Sequence, residues 1–270
     1  MEQRASKWAS RAKELDLLRG AAVVLMIVDH FFFDLWGLLP DLFADYPREL
    51  KVFAEEYWIW DVRLILRPVV LFIFFALTGI CSSFSRNNLA RGGKLFAVAM
   101  VLTGGTFLVG YLMENLNFGI AFGVLHCIAL SLLLVGIMEK QQVNKWAYLD
   151  FGILLWVMAI AIKLIARPVQ VSYYREPFLP LVGKSVMGFV LCGGDSFAFP
   201  EVCGQIFIGV FLGKQFYSER KSLLKSRYRN HPLTFLGRHS LWIYFAHQLL
   251  LPLIAALVLL AMGYTLSLPF

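Results

Sequence analysis

Apolar runs about as long as a bilayer is thick recur along this 270-residue chain, and they leave it few ways to fold. They cover roughly residues 17–39, 65–85, 95–113, 119–138, 147–166, 202–217 and 233–262. In hydrocarbon every backbone N–H and C=O must be satisfied internally, so such runs cross as α-helices. The ten-residue alternating segments of a membrane barrel are missing. Composition agrees, with 59% hydrophobic residues, 16% charged and a mean hydropathy of +0.68. The expected fold class is all-α: a polytopic transmembrane helix bundle of about seven spans, forming a single domain over 1–270.

The stretch 178–193, "FLPLVGKSVMGFVLCG", is shorter, holds Lys184 and is broken by Pro180. Charge decides how to read it. With seven spans and the N-terminus inside, seventeen lysines and arginines lie toward the cytosol and seven lie outside. An eighth span at 178–193 would put the basic loop 218–232 outside, against the positive-inside rule. The stretch is therefore expected to be a re-entrant or interfacial helix, with the C-terminus outside. The first run is full length with no small-residue cleavage site after it, so it reads as a retained helix.

The net charge of +7 resides in short loops between apolar runs, so it points to membrane topology and not to nucleic acid. Cys81 and Cys127 lie in spans and read as packing residues. Cys192 and Cys203 flank one loop and could pair. None of the four has metal-ligand spacing, and no metal is expected.

The first span carries ionisable groups. At about 100° per residue, Asp16, Arg19, His30 and Asp34 share one narrow face, and Asp29 lies off it. Such a stripe belongs toward a bundle interior or a wet cavity, because lipid exposure of these groups is costly. Asp34, one turn after His30, could hold the imidazole in one tautomer. Asp16 and Arg19, three apart, could equally be a structural pair. The last span shows a second stripe of Ser240, Tyr244, His247 and Gln248, and the fourth carries His126. Counted along their helices, His30, His126 and His247 are expected at one level somewhat outside the midplane. The outer segments 40–64 and 167–201 hold aromatics, with Asp195 in the second. They read as an interfacial belt or as a stacking surface over a site.

"LDLLRGAAVVLMI" followed by "FGVLHCIAL" resembles the membrane acetyltransferases related to heparan-α-glucosaminide N-acetyltransferase, their short bacterial relatives in particular. "GGDSFAFPEVCGQIFIGVFLGK" and "LTFLGRHSLWIYFAHQLLL" resemble later segments of those proteins. Arg19 and His30, with ten residues between them, also match a first-helix motif of acyltransferase family 3. The resemblance implies an acyltransferase that moves an acyl group, acetyl by expectation, from cytosolic acetyl-CoA to a sugar amine or hydroxyl across the cytoplasmic membrane. It implies His30 as a catalytic residue and Arg19 at the acyl donor; Asp34 and Asp16, on the same helix face, are expected beside them as catalytic and donor-site residues respectively. His126, Tyr244, His247, Gln248 and Asp195 would be substrate or supporting contacts. The implied partners are membrane lipid, acyl-CoA and a sugar or glycan acceptor, with self-association left open. A histidine base and a two-step route through an acyl-histidine both remain open. The rival reading from another class is a proton-coupled carrier of small solutes, which also uses intramembrane histidines and aspartates.

Overall fold

The computed structural model describes residues 12–193, 195–218 and 231–267. It is built from helices. Chain order runs α1 (Lys13–Phe33), a π-helical turn (Asp34–Leu38), α2 (Leu39–Leu42), α3 (Arg48–Ile59), α4 (Asp61–Ser82) and α5 (Asn88–Leu112). It continues with α6 (Val124–Lys140), α7 (Lys145–Ala166), β1 (Val169–Val171), α8 (Phe178–Met187), β2 (Val190–Cys192), α9 (Phe199–Phe216), α10 (Pro232–Arg238) and α11 (Ser240–Ala261). Among the described residues, five segments are long and apolar enough to cross a membrane: Lys13–Leu42, Asp61–Ser82, Asn88–Leu112, Lys145–Ala166 and Ser240–Ala261. Their outer faces need lipid. Val101, Leu164 and Ile165 are 76%, 72% and 85% exposed, and apolar patches of that extent are not left to water. The all-α membrane bundle expected from the sequence is what forms.

The chain divides into two compact units, the described parts of Met1–Phe74 with Arg220–Phe270, and of Phe75–Glu219. In the first unit, α10 and α11 pack against α1. The approach of α10 is backbone on backbone. A Cβ at Gly20 would overlap the Leu233 carbonyl, and one at Gly237 would overlap the Asp16 carbonyl. Small residues at such crossings let helices meet closely where no hydrophobic effect drives them together. At the other end, Ser267 N–H donates to Leu42 O at 2.9 Å and Thr265 N–H to the Asp45 carboxylate at 2.8 Å. The ends of α2 and α11 are therefore tied, and α1 and α11 run in the same direction.

These crossings carry an expected result. Gly237→Val should lower unfolding stability by on the order of 3 kcal/mol, since backbone cannot yield as a side chain does. Gly93→Val is the control, because nothing lies within 4 Å of a Cβ at Gly93. Thermal unfolding in detergent should separate the two, with the control within about 1 kcal/mol of the parent.

In the second unit, α9 is the central element, buried from Pro200 to Gly213 against α6 and α7. Gly204 and Gly152 face each other across the α7–α9 crossing, where each Cβ would press on the other's carbonyl. Tyr148, Cys203, Phe207 and Val210 form the core beside it.

Two sequence expectations change, and the cysteine pairing left open is decided. The run 233–262 is not one helix. It breaks at His239 (φ −104°, ψ 14°) into α10 and α11, because a one-residue break barely alters a hydropathy sum. The stretch 178–193 is a ten-residue helix, α8, followed by β2, which pairs in parallel with β1 through Val169–Val190 and Val171–Cys192. About 15 Å of helix cannot cross a core about 30 Å thick. The ribbon was not expected, since three-residue strands leave no periodic signal. All four cysteines are free thiols, so Cys192 and Cys203 do not pair. Burial pushes the Cys192 thiol above its ordinary range. Denatured protein should therefore react with four equivalents of thiol reagent whether or not reductant is added; two equivalents without reductant would contradict this.

Candidate functional site

The site begins where α10 lies on α1. The backbone contacts at Gly20 and Gly237 bring Asp16 between two arginines. Its side chain is 3% exposed, with Oδ1 3.7 Å from Arg19 Nη1 and Oδ2 3.7 Å from Arg238 Nε. One carboxylate thus lies at ion-pair distance from two guanidiniums. Planar guanidiniums are the side chains best suited to phosphate oxygens. Arg19 and Asp16 stand together as their spacing suggested. Arg238 was not singled out from the sequence, where it counted only as one more basic residue before the last span.

Three turns further along α1, His30 meets α11. Its ring and that of His247 lie edge to face, 4.9 Å between centroids, with Tyr244 5.8 Å from His247. His30 Nδ1 is 2.9 Å from Met26 O, and His247 Nδ1 is 3.0 Å from Ile243 O. A carbonyl oxygen only accepts, so Nδ1 of each ring carries the hydrogen. In the neutral ring Nε2 is then the basic nitrogen. His30 is half-buried and reachable. His247 is 6% exposed, and its Nε2 has no hydrogen-bond partner among the described residues.

Asp34 does not orient the His30 ring. It is buried at the start of the π-helical turn; its backbone N–H donates to His30 O as in a regular helix, and no side-chain hydrogen bond or ion pair among the described residues joins it to the His30 ring. The Met26 carbonyl sets the tautomer instead. The turn's i→i+5 bond, Leu39 N–H to Asp34 O, inserts a residue into the helical repeat. It rotates the residues beyond it away from the face that a constant 100° step assigns; such turns recur at functional sites. Gln248 also departs from expectation. It is exposed, one residue and about 100° round from the buried face of Tyr244 and His247.

Asp29, off the stripe as expected, proves to be held. Arg63 Nε and Nη2 donate to its two oxygens at 2.7 and 3.2 Å, Arg67 Nε lies 3.5 Å away, and Tyr57 OH donates at 3.3 Å. Arg63 also donates to Trp58 O and lies over the Trp58 ring at 3.7 Å. Trp58 in turn stacks on Trp36, and Tyr57 on Phe32. This cluster joins α1, α3 and α4. The aromatics of 40–64 are therefore largely spent on packing, with Trp60 left 53% exposed.

His126 lies in the second unit and is 2% exposed. Its Nδ1 accepts from Gly123 N–H at 3.2 Å. Thr103 Oγ1 donates to Ile120 O, so at 3.2 Å it accepts from His126 Nε2–H. Both ring nitrogens are committed, and the ring caps the start of α6 between Phe122 and Phe96. Asp195 serves the same helix end, accepting from Val124 N–H at 3.0 Å. A carboxylate there suits the positive end of the helix dipole. Tyr173 is buried against Phe107 and Phe178 rather than presented as a stacking face, and burial pushes its phenol above the ordinary range. The geometry thus gives His126, Asp195 and Tyr173 structural work.

No curated protein and no solved structure matches the chain. The family model described as heparan-alpha-glucosaminide N-acetyltransferase, catalytic, matches residues 11–249. That span takes in Asp16, Arg19, His30, Arg238 and His247 together. With most of its length matched and a bundle of membrane-spanning helices, the chain belongs to the heparan-α-glucosaminide N-acetyltransferase family of membrane acetyltransferases.

Proposed function

We propose that the protein transfers an acetyl group from cytosolic acetyl-CoA to an amine or hydroxyl of a sugar on the far side of the membrane. The observation that carries this reading is the half-buried His30. Its Nδ1 is tied to Met26 O, so Nε2 is the base, and it shares a helix with the arginine-bearing end. Arg19 and His30 are eleven residues apart, roughly 16 Å along the axis. Coenzyme A likewise separates its phosphates from its thioester by the pantetheine arm. Arg19 and Arg238, on either side of Asp16, would take the phosphates.

The chemistry balances on this chain's own groups. The acceptor N–H or O–H attacks the thioester carbonyl and its proton passes to His30 Nε2. The C–S bond breaks, and the imidazolium returns the proton to the departing thiolate. A neutral imidazole is suited to both steps near neutral pH.

Purified protein in detergent should bind acetyl-CoA and release coenzyme A, faster with an amino-sugar acceptor. Arg19→Ala should raise KM for acetyl-CoA by about tenfold or more, the cost of a charge-assisted contact, and change kcat little. Folded parent protein with no measurable affinity for acetyl-CoA would overturn the reading.

A further inference from the structure

His247 has no assigned task, yet its surroundings are specific. A buried imidazole nitrogen without a partner is costly, and native structures rarely leave one without a reason. His30, on the neighbouring helix, presents its ring at 4.9 Å in an edge-to-face arrangement. Each ring has given its Nδ1–H to the carbonyl four residues earlier in its own helix. In the resting state both Nε2 atoms are therefore acceptors, and two acceptors cannot bond to each other. When one proton arrives at His30, its Nε2 becomes a donor, and an unprotonated imidazole nitrogen on the neighbouring ring is a group that can accept from it. Packing alone would explain an apolar ring at position 247. It does not explain a ring whose second nitrogen is buried without a partner among the described residues, next to the only other imidazole on α1 and α11.

We propose that His247 is a positioning residue for His30, and that the two rings hold one proton between them during acetyl transfer. The proton leaves the attacking acceptor group and binds His30 Nε2. There the Nε2–H is shared between the reacting group and His247 Nε2, and the proton leaves with the coenzyme A sulfur. No net proton is gained and no other reactant is needed. The inference rests on the acetyltransferase reading.

The test uses two isosteric variants. Asparagine at 247 keeps a donor where Nδ1 stands, and so keeps the bond to Ile243 O, but has nothing at Nε2. Glutamine reaches the Nε2 position with an oxygen that can accept. His247→Asn should keep KM for acetyl-CoA within about twofold and lower kcat by roughly thirtyfold or more. His247→Gln should recover part of that loss. Turnover of His247→Asn within about threefold of the parent would overturn the proposal, because a merely structural ring would leave kcat in place. A second reading needs no variant at 247. In the parent labelled with ¹⁵N-histidine, with His30→Asn used for assignment, His247 should show the Nδ1–H tautomer at rest. Hydrogen on its Nε2 would overturn the proposal whether or not the variants fold. If the parent neither binds nor turns over acetyl-CoA, the acetyltransferase reading fails, and the tautomer still reports on the pair.

Discussion

Replacing His30 by asparagine is expected to lower kcat by about a thousandfold, within the range that a positioned general base contributes, and to leave acetyl-CoA affinity nearly unchanged. Asparagine is the informative substitution because its amide nitrogen stands where Nδ1 stands. The bond to Met26 O survives, α1 keeps its local hydrogen bonding, and the basic nitrogen is lost. Steady-state kinetics with binding of acetyl-CoA measured separately would divide the effect between kcat and KM. A fall in both kcat and affinity would mean that the ring shapes the donor site. Unchanged kcat would remove His30 from the chemistry.

Arg63→Met is expected to cost about 3 kcal/mol of stability with no direct effect on the reacting groups. Arg63 is 7% exposed and makes two of its bonds to Asp29, which is 23% exposed. Removing the arginine leaves a carboxylate inside a membrane-spanning helix with Arg67, at 3.5 Å, as its remaining cation and the Tyr57 hydroxyl, at 3.3 Å, as a neutral donor. The Trp58 ring also loses the cation above it. Breaking one side of a buried pair is costly chiefly because of the charge left behind. The double variant Asp29→Leu, Arg63→Met should therefore recover most of the loss. Urea or thermal unfolding in detergent measures both, and a double variant no better than the single one would show that the guanidinium acts by packing alone.

The two arginine clusters show what a sequence makes legible and what it hides. Asp16 and Arg19 are three residues apart on one helix, so helical geometry alone puts them together. Arg238 reaches the same carboxylate from far along the chain only because Gly20 and Gly237 allow backbone contact. The pairing of Asp29 with Arg63 crosses a loop and an intervening helix, and no periodicity reports on it. The meeting of His30 and His247 was partly legible, since both helices run in one direction and the two residues count out to similar heights. Whether the faces met depended on packing. His126 counted out to the same height and is satisfied instead by Gly123 and Thr103 within its own unit. Asp34 follows His30 by one regular turn but makes no side-chain hydrogen bond to its ring among the described residues, and Gln248 sits a single residue beyond the buried face.

The most direct measurement is a structure of the protein with a non-hydrolysable acetyl-CoA analogue. The carbon that stands for the thioester carbonyl should lie within about 4–5 Å of His30 Nε2, near enough for an attacking group to sit between them. The phosphates should lie against Arg19 and Arg238. An analogue bound with its acyl end far from that nitrogen, or with its phosphates away from both arginines, would contradict the assignment of this helix face to acetyl transfer.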